Sequence, residues 1–289
     1  MGKIGFIIGV FSLLVLGLVF YFVLSQENAL VTQPKGIIAS SQLDLIKTNV
    51  FLMLLVIVPT FLILLTVALK YRASNLKAKY DPNRSHGVFS ELLLWTIPSI
   101  IVVIMAMITW KATFKLDPYR PLESEVKPLS IQVVALDWKW LFIYPDYEIA
   151  SLNFVQFPEK VPIHFSLAAD GSPMNSFWVP QLSGQIYCMT GMVTSLHVMA
   201  DGPGEYSGKA AEINGAGYAD MTFVAKSTSQ SDFQNWVEEA QKSSIHLTDA
   251  VYEELLHPSL KNPVTLYSHV DEGLFNRILM RYVEPKGEK

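Results

Sequence analysis

Side chains able to hold a redox metal or act as nucleophiles are few in this chain and poorly spaced for either task. The one cysteine, Cys188, lies in SGQIYCMTGM, with Met192 four residues on and no histidine between them. Soft thiolates select copper, and bridging two coppers takes two of them. Even the His, Cys, His, Met set of a mononuclear blue-copper site lacks its spacing here. One thiol forms no internal disulfide, so Cys188 reads as a small buried hydrophobe. The six histidines, His86, His164, His197, His246, His257 and His269, include no pair three or four residues apart, which offers no local metal site. His164 and His197 fall in expected strands that can bring them together, and a hydrogen-bonded or surface imidazole accounts for each. No phosphate loop, GxSxG elbow or metalloprotease motif occurs.

Among the acids, Glu91 in HGVFSELLLWTIP stands out, because an acid at the mouth of a membrane helix can collect protons for an internal path. The plainer account is an acid in a helix's first turn, favoured by the helix dipole at roughly 0.3–1 kcal/mol. Either reading needs a membrane helix, and the hydropathy supplies two. Residues 48–69 are 22 uncharged residues and 92–110 are 19 more, enough to cross a hydrocarbon core of about 30 Å. They read as a transmembrane hairpin over 44–110. Pro59 and Pro98 inside these runs are tolerated in a membrane, where neighbours compensate the freed carbonyls. Lys3 followed by the uncharged stretch 4–26 reads as a signal sequence or an N-terminal transmembrane helix. Its 23 residues exceed the about 7–15 of a signal's apolar region, which favours the helix.

The loop 70–90 holds Lys70, Arg72, Lys77, Lys79 and Arg84, so it stays in the cytoplasm and everything after about residue 111 lies on the opposite side. With a net charge of −4 and the basic residues gathered in that loop, nucleic-acid binding has no support.

After the connector KLDPYRPLESEVKP, short runs of β-formers alternate with turn residues. Strands are expected near 129–135, 139–144, 152–157, 163–168, 176–180, 185–189, 194–200 and 221–225. Together they suggest an all-β sandwich or barrel over 125–228. A helical tail follows over 229–289: an N-cap Ser231 with Phe233, Trp236 and Val237 on one face, then helices over 248–256 and 271–282. Five aromatics, Trp138, Trp140, Phe142, Tyr144 and Tyr147, crowd ten residues. They are expected to fill the sandwich and to rest on partner subunits near the membrane surface.

The stretch 202–221, GPGEYSGKAAEINGAGYADM, keeps the outline of a copper-binding loop without its ligands. In the cytochrome c oxidase members of the haem-copper oxidase subunit II family the loop reads roughly PGxYxGxCxxxCGxxHxxM. The two Cys, the His and the Met of that pattern fall here on Ala210, Asn214, Tyr218 and Met221, and an upstream His falls near Asn175 in PMNSFWVPQL. Four of five side-chain ligands are gone. The chain therefore resembles the quinol-oxidizing, cytochrome bo-type branch of that family, from ALVTQPKG through KYRASN, WTIP, DWKWLFIYP and MNSFWVP to the tail.

That resemblance implies a cupredoxin-like sandwich in the periplasm, anchored in a bacterial inner membrane. It implies a subunit of a proton-pumping ubiquinol oxidase, an oxidoreductase that reduces oxygen to water. This chain would bind no metal or cofactor, haems and copper would reside in subunit I, and Glu91 would stand at the mouth of a proton channel. Subunits III and IV and membrane lipid would be further partners, and cytochrome c would not be one. Relatives often carry a lipoprotein Cys after the first apolar run, where this chain has Ser25 and Gln26. The competing reading is a free-standing, membrane-anchored periplasmic binding protein. A copper-dependent subunit fed by cytochrome c fails on its ligands.

Overall fold

A computed structural model describes residues 29–78, 87–172 and 174–283, together with Gly17 and Tyr21. The expected signal or helix over 1–26, those two residues apart, and the basic stretch 79–86 lie outside the described residues. The chain divides into two units, one containing Leu43–Lys115 and the other joining Gln33–Gln42 to Leu116–Lys289.

The first unit holds two helices, α1 (Ile37–Lys70) from Leu43 onward and α2 (Val88–Lys115). With 34 and 28 residues they are about 51 and 42 Å long at 1.5 Å per residue, against about 30 Å of hydrocarbon. Both are long and apolar enough to cross a membrane, and both carry an internal proline, Pro59 or Pro98. They overrun the expected 44–110 at both ends, and charged residues interrupt neither helix. Asp44 and Lys47 pair on one face of α1 at 3.7 Å, and α2 continues through Lys111. The start at Ile37 lies seven residues ahead of the expected hairpin.

The second unit is built on β1 (Leu129–Leu136), β2 (Lys139–Tyr144), β3 (Ile149–Leu152), β4 (Phe154–Pro158), β5 (Ile163–Ala169) and β6 (Met174–Trp178). Four more strands complete the sandwich: β7 (Ile186–Met189), β8 (Thr194–Val198), β9 (Gly204–Ala210) and β10 (Thr222–Thr228). The tail then gives α3 (Gln230–Gln241), β11 (His246–Leu247), α4 (Asp249–Leu255), β12 (Thr265–Tyr267), β13 (His269–Val270) and α5 (Leu274–Val283). One sheet has the order β12-β3-β2-β1-β5-β8 and the other β4-β10-β9-β6-β7. Between them, Trp140, Phe142, Phe177 and Phe223 pack with ring centroids 5.0–6.3 Å apart.

Alternation explains why β1 and β2 are buried almost throughout. Ile131, Val133 and Ala135 face the opposing sheet, while Val134 and Leu136 face a second core formed with the tail residues Leu247, Tyr252, Leu274, Phe275 and Ile278. Asp170 fastens that tail. Its carboxylate accepts from the Tyr252 hydroxyl at 2.7 Å and the Tyr282 hydroxyl at 2.6 Å, with Arg281 3.7 Å away. Burial and the neighbouring Asp170 push both tyrosines above their ordinary range, so they remain donors.

Several boundaries differ from those expected. The run 152–157 splits because Asn153 adopts φ 55°, which sends β3 and β4 into different sheets. Asn153 tolerates this conformation and uses its amide, accepting from the Trp140 N–H at 2.9 Å and donating to the Asn262 carbonyl at 3.0 Å. Strand β9 lies in a stretch read as loop, and its Gly208 is there because a Cβ would stand 2.1 Å from the Phe223 ring. Helix α3 is capped by Ser229 and not Ser231: the Ser229 hydroxyl accepts from the Asp232 N–H at 3.1 Å. Helix α5 begins at Leu274 because Gly273, at φ 72°, interrupts a helix starting at 271.

Candidate functional site

The five positions that the resemblance sets against copper ligands come from β6, the end of β9, the 211–221 loop and its short 3-10 turn Tyr218–Asp220. The structure gathers three of them through side chains. The Asn214 amide Nδ2 donates to Asn175 Oδ1 and lies 3.0 Å from the Met221 sulfur. Ala210 joins only through the backbone, its N–H donating to the Met221 carbonyl at 3.0 Å. Tyr218 turns away and donates from its hydroxyl to the Ala211 carbonyl at 3.4 Å. Asn175 and Met221 are fully buried, and Ala210 nearly so.

Trp138 holds the loop from the side. It sits at φ 64° in the two-residue turn between β1 and β2, a conformation that costs an ordinary residue free energy and is sustained by packing. That packing is the flat approach of Gly215 and Gly217, where a Cβ at Gly217 would stand 2.3 Å from the indole. Gly215, at φ 125°, also needs glycine's conformational freedom. From the core side, Trp140 Nε1 reaches the Met221 carbonyl at 3.4 Å. Trp140 and Tyr144 are fully buried, with Tyr144 packed on Trp236 at 5.3 Å.

These donors do not fit a dinuclear copper centre. Two neutral amides and a thioether supply neither the anionic bridges nor the imidazoles that such a centre needs. Their lone pairs and protons are turned on one another, with Asn175 Nδ2 and Asn214 Oδ1 the two atoms lacking a partner among the described residues. Strand register sets Cys188 directly opposite Asn175, a closeness that local spacing did not reveal. Complete burial raises its pKa, so it stays a protonated thiol, and one cysteine does not supply two thiolate bridges.

Glu91 lies in the first turn of α2 on an exposed face, its N–H donating to the Gly87 carbonyl at 3.2 Å. Two buried polar anchors were missed in the sequence. Asp170 sits in a turn-like AADGS run and Lys139 in a strand of aromatics; neither context distinguishes a buried charge from a solvated one. Lys139 donates to the His257 carbonyl at 2.8 Å and to the Ser259 hydroxyl, and burial lowers its pKa against the pull of Asp137.

Residues 241–286 match the family described as COX Aromatic Rich Motif. Over 259 residues the chain is 46% identical to cytochrome bo(3) ubiquinol oxidase subunit 2 of Pseudomonas putida, covering 90% of this chain and 82% of that protein. It is 44% identical over 254 residues to ubiquinol oxidase subunit 2 of Acetobacter aceti, covering 87% and 82%. The chain belongs to the ubiquinol oxidase subunit 2 family. Among solved structures, the periplasmic domain of cytochrome oxidase subunit II from Bradyrhizobium japonicum superposes with a TM-score of 0.39 at 20% identity, covering 43% of this chain and 98% of that one. The aromatic-rich segment is the tail that adds β12, with Tyr267, to the larger sheet and buries Tyr252 and Phe275 against its outer face.

Proposed function

We propose that this chain is the second, non-redox subunit of a proton-pumping terminal ubiquinol oxidase in a bacterial inner membrane. The observation that carries this reading is the 211–221 loop, braced by Trp138 at Gly215 and Gly217, where Asn214 bonds to both Met221 and Asn175. A copper relay serves a soluble electron donor; a donor dissolved in the bilayer makes it unnecessary. In this reading α1 and α2 pack on subunit I, which holds the haems and copper, the sandwich covers that subunit on the periplasmic side, and subunits III and IV and lipid complete the surroundings. The described domains are then a membrane hairpin, a cupredoxin-like sandwich and a helical tail.

The detergent-purified complex is expected to reduce oxygen with ubiquinol and to leave reduced cytochrome c untouched. Oxidation of cytochrome c without quinol activity contradicts the substrate assignment. Purification of the chain without any haem-bearing partner favours the free-standing binding protein.

Glu91 supplies protons from the cytoplasmic side in this account. Removing one positioned proton-transfer group costs rate without disturbing packing. Glu91→Ala is expected to slow quinol-driven oxygen reduction by at least about tenfold, with haem content and subunit composition unchanged. Wild-type turnover and pumping in that variant would remove Glu91 from the path.

A further inference from the structure

His164 on β5 and His197 on β8 are cross-strand partners whose rings stack 4.6 Å apart at an interplanar angle of 10°. The segment that follows α2 reaches the same place. The Pro118 carbonyl accepts from the His197 backbone N–H at 3.2 Å and lies 3.0 Å from His197 Nδ1. A carbonyl can only accept, so Nδ1 carries a proton and any further proton goes to Nε2. Because the His197 N–H points to Pro118 and not to β5, the two histidines form a non-hydrogen-bonded pair, in which side chains stand closest. His164 Nε2 lies 3.3 Å from the Ser195 hydroxyl.

No counter-ion is at hand. Strands β1, β5 and β8 bring no other titratable side chain to this face, which continues with Ser130 and Ser195. The segment itself carries Asp117, Tyr119 and Arg120. Asp117 accepts from the Tyr119 N–H at 2.9 Å, and Arg120 pairs with Glu123 at 3.1 Å. Beyond the strand ends, the Lys160 N–H donates to the Ala200 carbonyl. Among the described residues, no carboxylate pairs with either ring.

We propose that the stacked pair is a proton-sensitive clasp, which holds the segment around Pro118 against β8 while the rings are neutral and releases it when both are charged. Burial lowers the His164 pKa, and the neighbouring His197 lowers it further. Folded His164 thus binds fewer protons than a free imidazole. Its stabilising contribution is complete above the ordinary histidine pKa of about 6.5 and is lost as the pH falls below it. This inference stands apart from the oxidase reading, since it concerns only the attachment of one segment.

Hydrogen exchange of the full-length chain in detergent tests it, with rates corrected for the intrinsic effect of pH. The probe is the His197 amide and its neighbours at about pH 7.5 and about pH 5, either side of the histidine range. Protection there is expected to fall about tenfold or more at the lower pH, while β2 amides hold theirs. His164→Phe keeps a ring without the charge and should stay protected at both pH values; His164→Gln serves the same purpose if the phenyl ring is not accommodated. His164→Lys places a permanent charge beside His197 and should expose the amide at about pH 7.5. Equal protection of the wild-type amide at both pH values overturns the clasp, as does an acid-dependent loss that persists in His164→Phe and His164→Gln.

Discussion

Asp170→Ala is expected to detach the helical tail from the sandwich while leaving the two main sheets folded. The substitution removes the acceptor for two tyrosine hydroxyls, one on the fully buried Tyr252 and one on Tyr282, and the charge beside Arg281. The buried Tyr252 donor left without a partner costs about 1–3 kcal/mol and the half-exposed Tyr282 less, since water can replace its acceptor, so the two together lose roughly 2 kcal/mol or more. The loss falls locally, because these hydroxyls belong to α4 and α5 while Asp170 closes β5. Exchange of amides in α4 and α5 should accelerate by at least about thirtyfold, and β1 and β2 should change little. Asp170→Asn keeps one acceptor and should lie between the two. Unchanged tail exchange in Asp170→Ala would show that apolar packing alone retains the tail.

Trp140→Ala carries the other large effect, and it is global. Trp140 is fully buried, meets Phe177 and Phe223 edge-on at 5.3 and 5.7 Å, and is the indole bonded to the Met221 carbonyl. Deleting a side chain of this size from a packed core costs about 3–5 kcal/mol, as lost transfer energy plus an unfilled cavity. Denaturant unfolding should show a lowered midpoint with an unchanged slope. A midpoint shift worth less than about 1 kcal/mol would mean that the sandwich closes around the gap.

The contrast between these residues shows what the sequence made legible. The apolar helices, most strands and an all-β sandwich or barrel follow from composition and alternation, because those signals are local, while the cupredoxin-like form came from the resemblance alone. The loop was legible for another reason: its glycines, tyrosine and methionine keep their spacing after the ligands have changed. What stayed hidden was set by partners far along the chain. Asp170 meets residues more than eighty positions away, so nothing around it marks the carboxylate as buried. Strand β9 was concealed by Gly204 and Gly208, which weaken a strand signal although Gly208 makes room for the Phe223 ring. Asn153 splits a strand by adopting a positive φ that no alternation pattern announces. At the site itself, the residue types were readable as non-ligands, but only the fold showed that Asn175, Asn214 and Met221 bond to one another, with Cys188 in register opposite Asn175.

The aromatic run divides in the same way. Trp140, Phe142 and Tyr144 belong to the core by simple burial. Trp138 does not; it braces the loop through the faces of Gly215 and Gly217, with an indole N–H that has no partner among the described residues. This brace positions the loop by direct packing.

The most direct test is electron paramagnetic resonance of the purified chain after incubation with copper. The expected result is only the spectrum of weakly held, isolated Cu(II), removed by a chelator, because two amides, a thioether and one protonated thiol cannot bridge two ions. A mixed-valence signal shared between two coppers, retained after chelation, would contradict the account at its base.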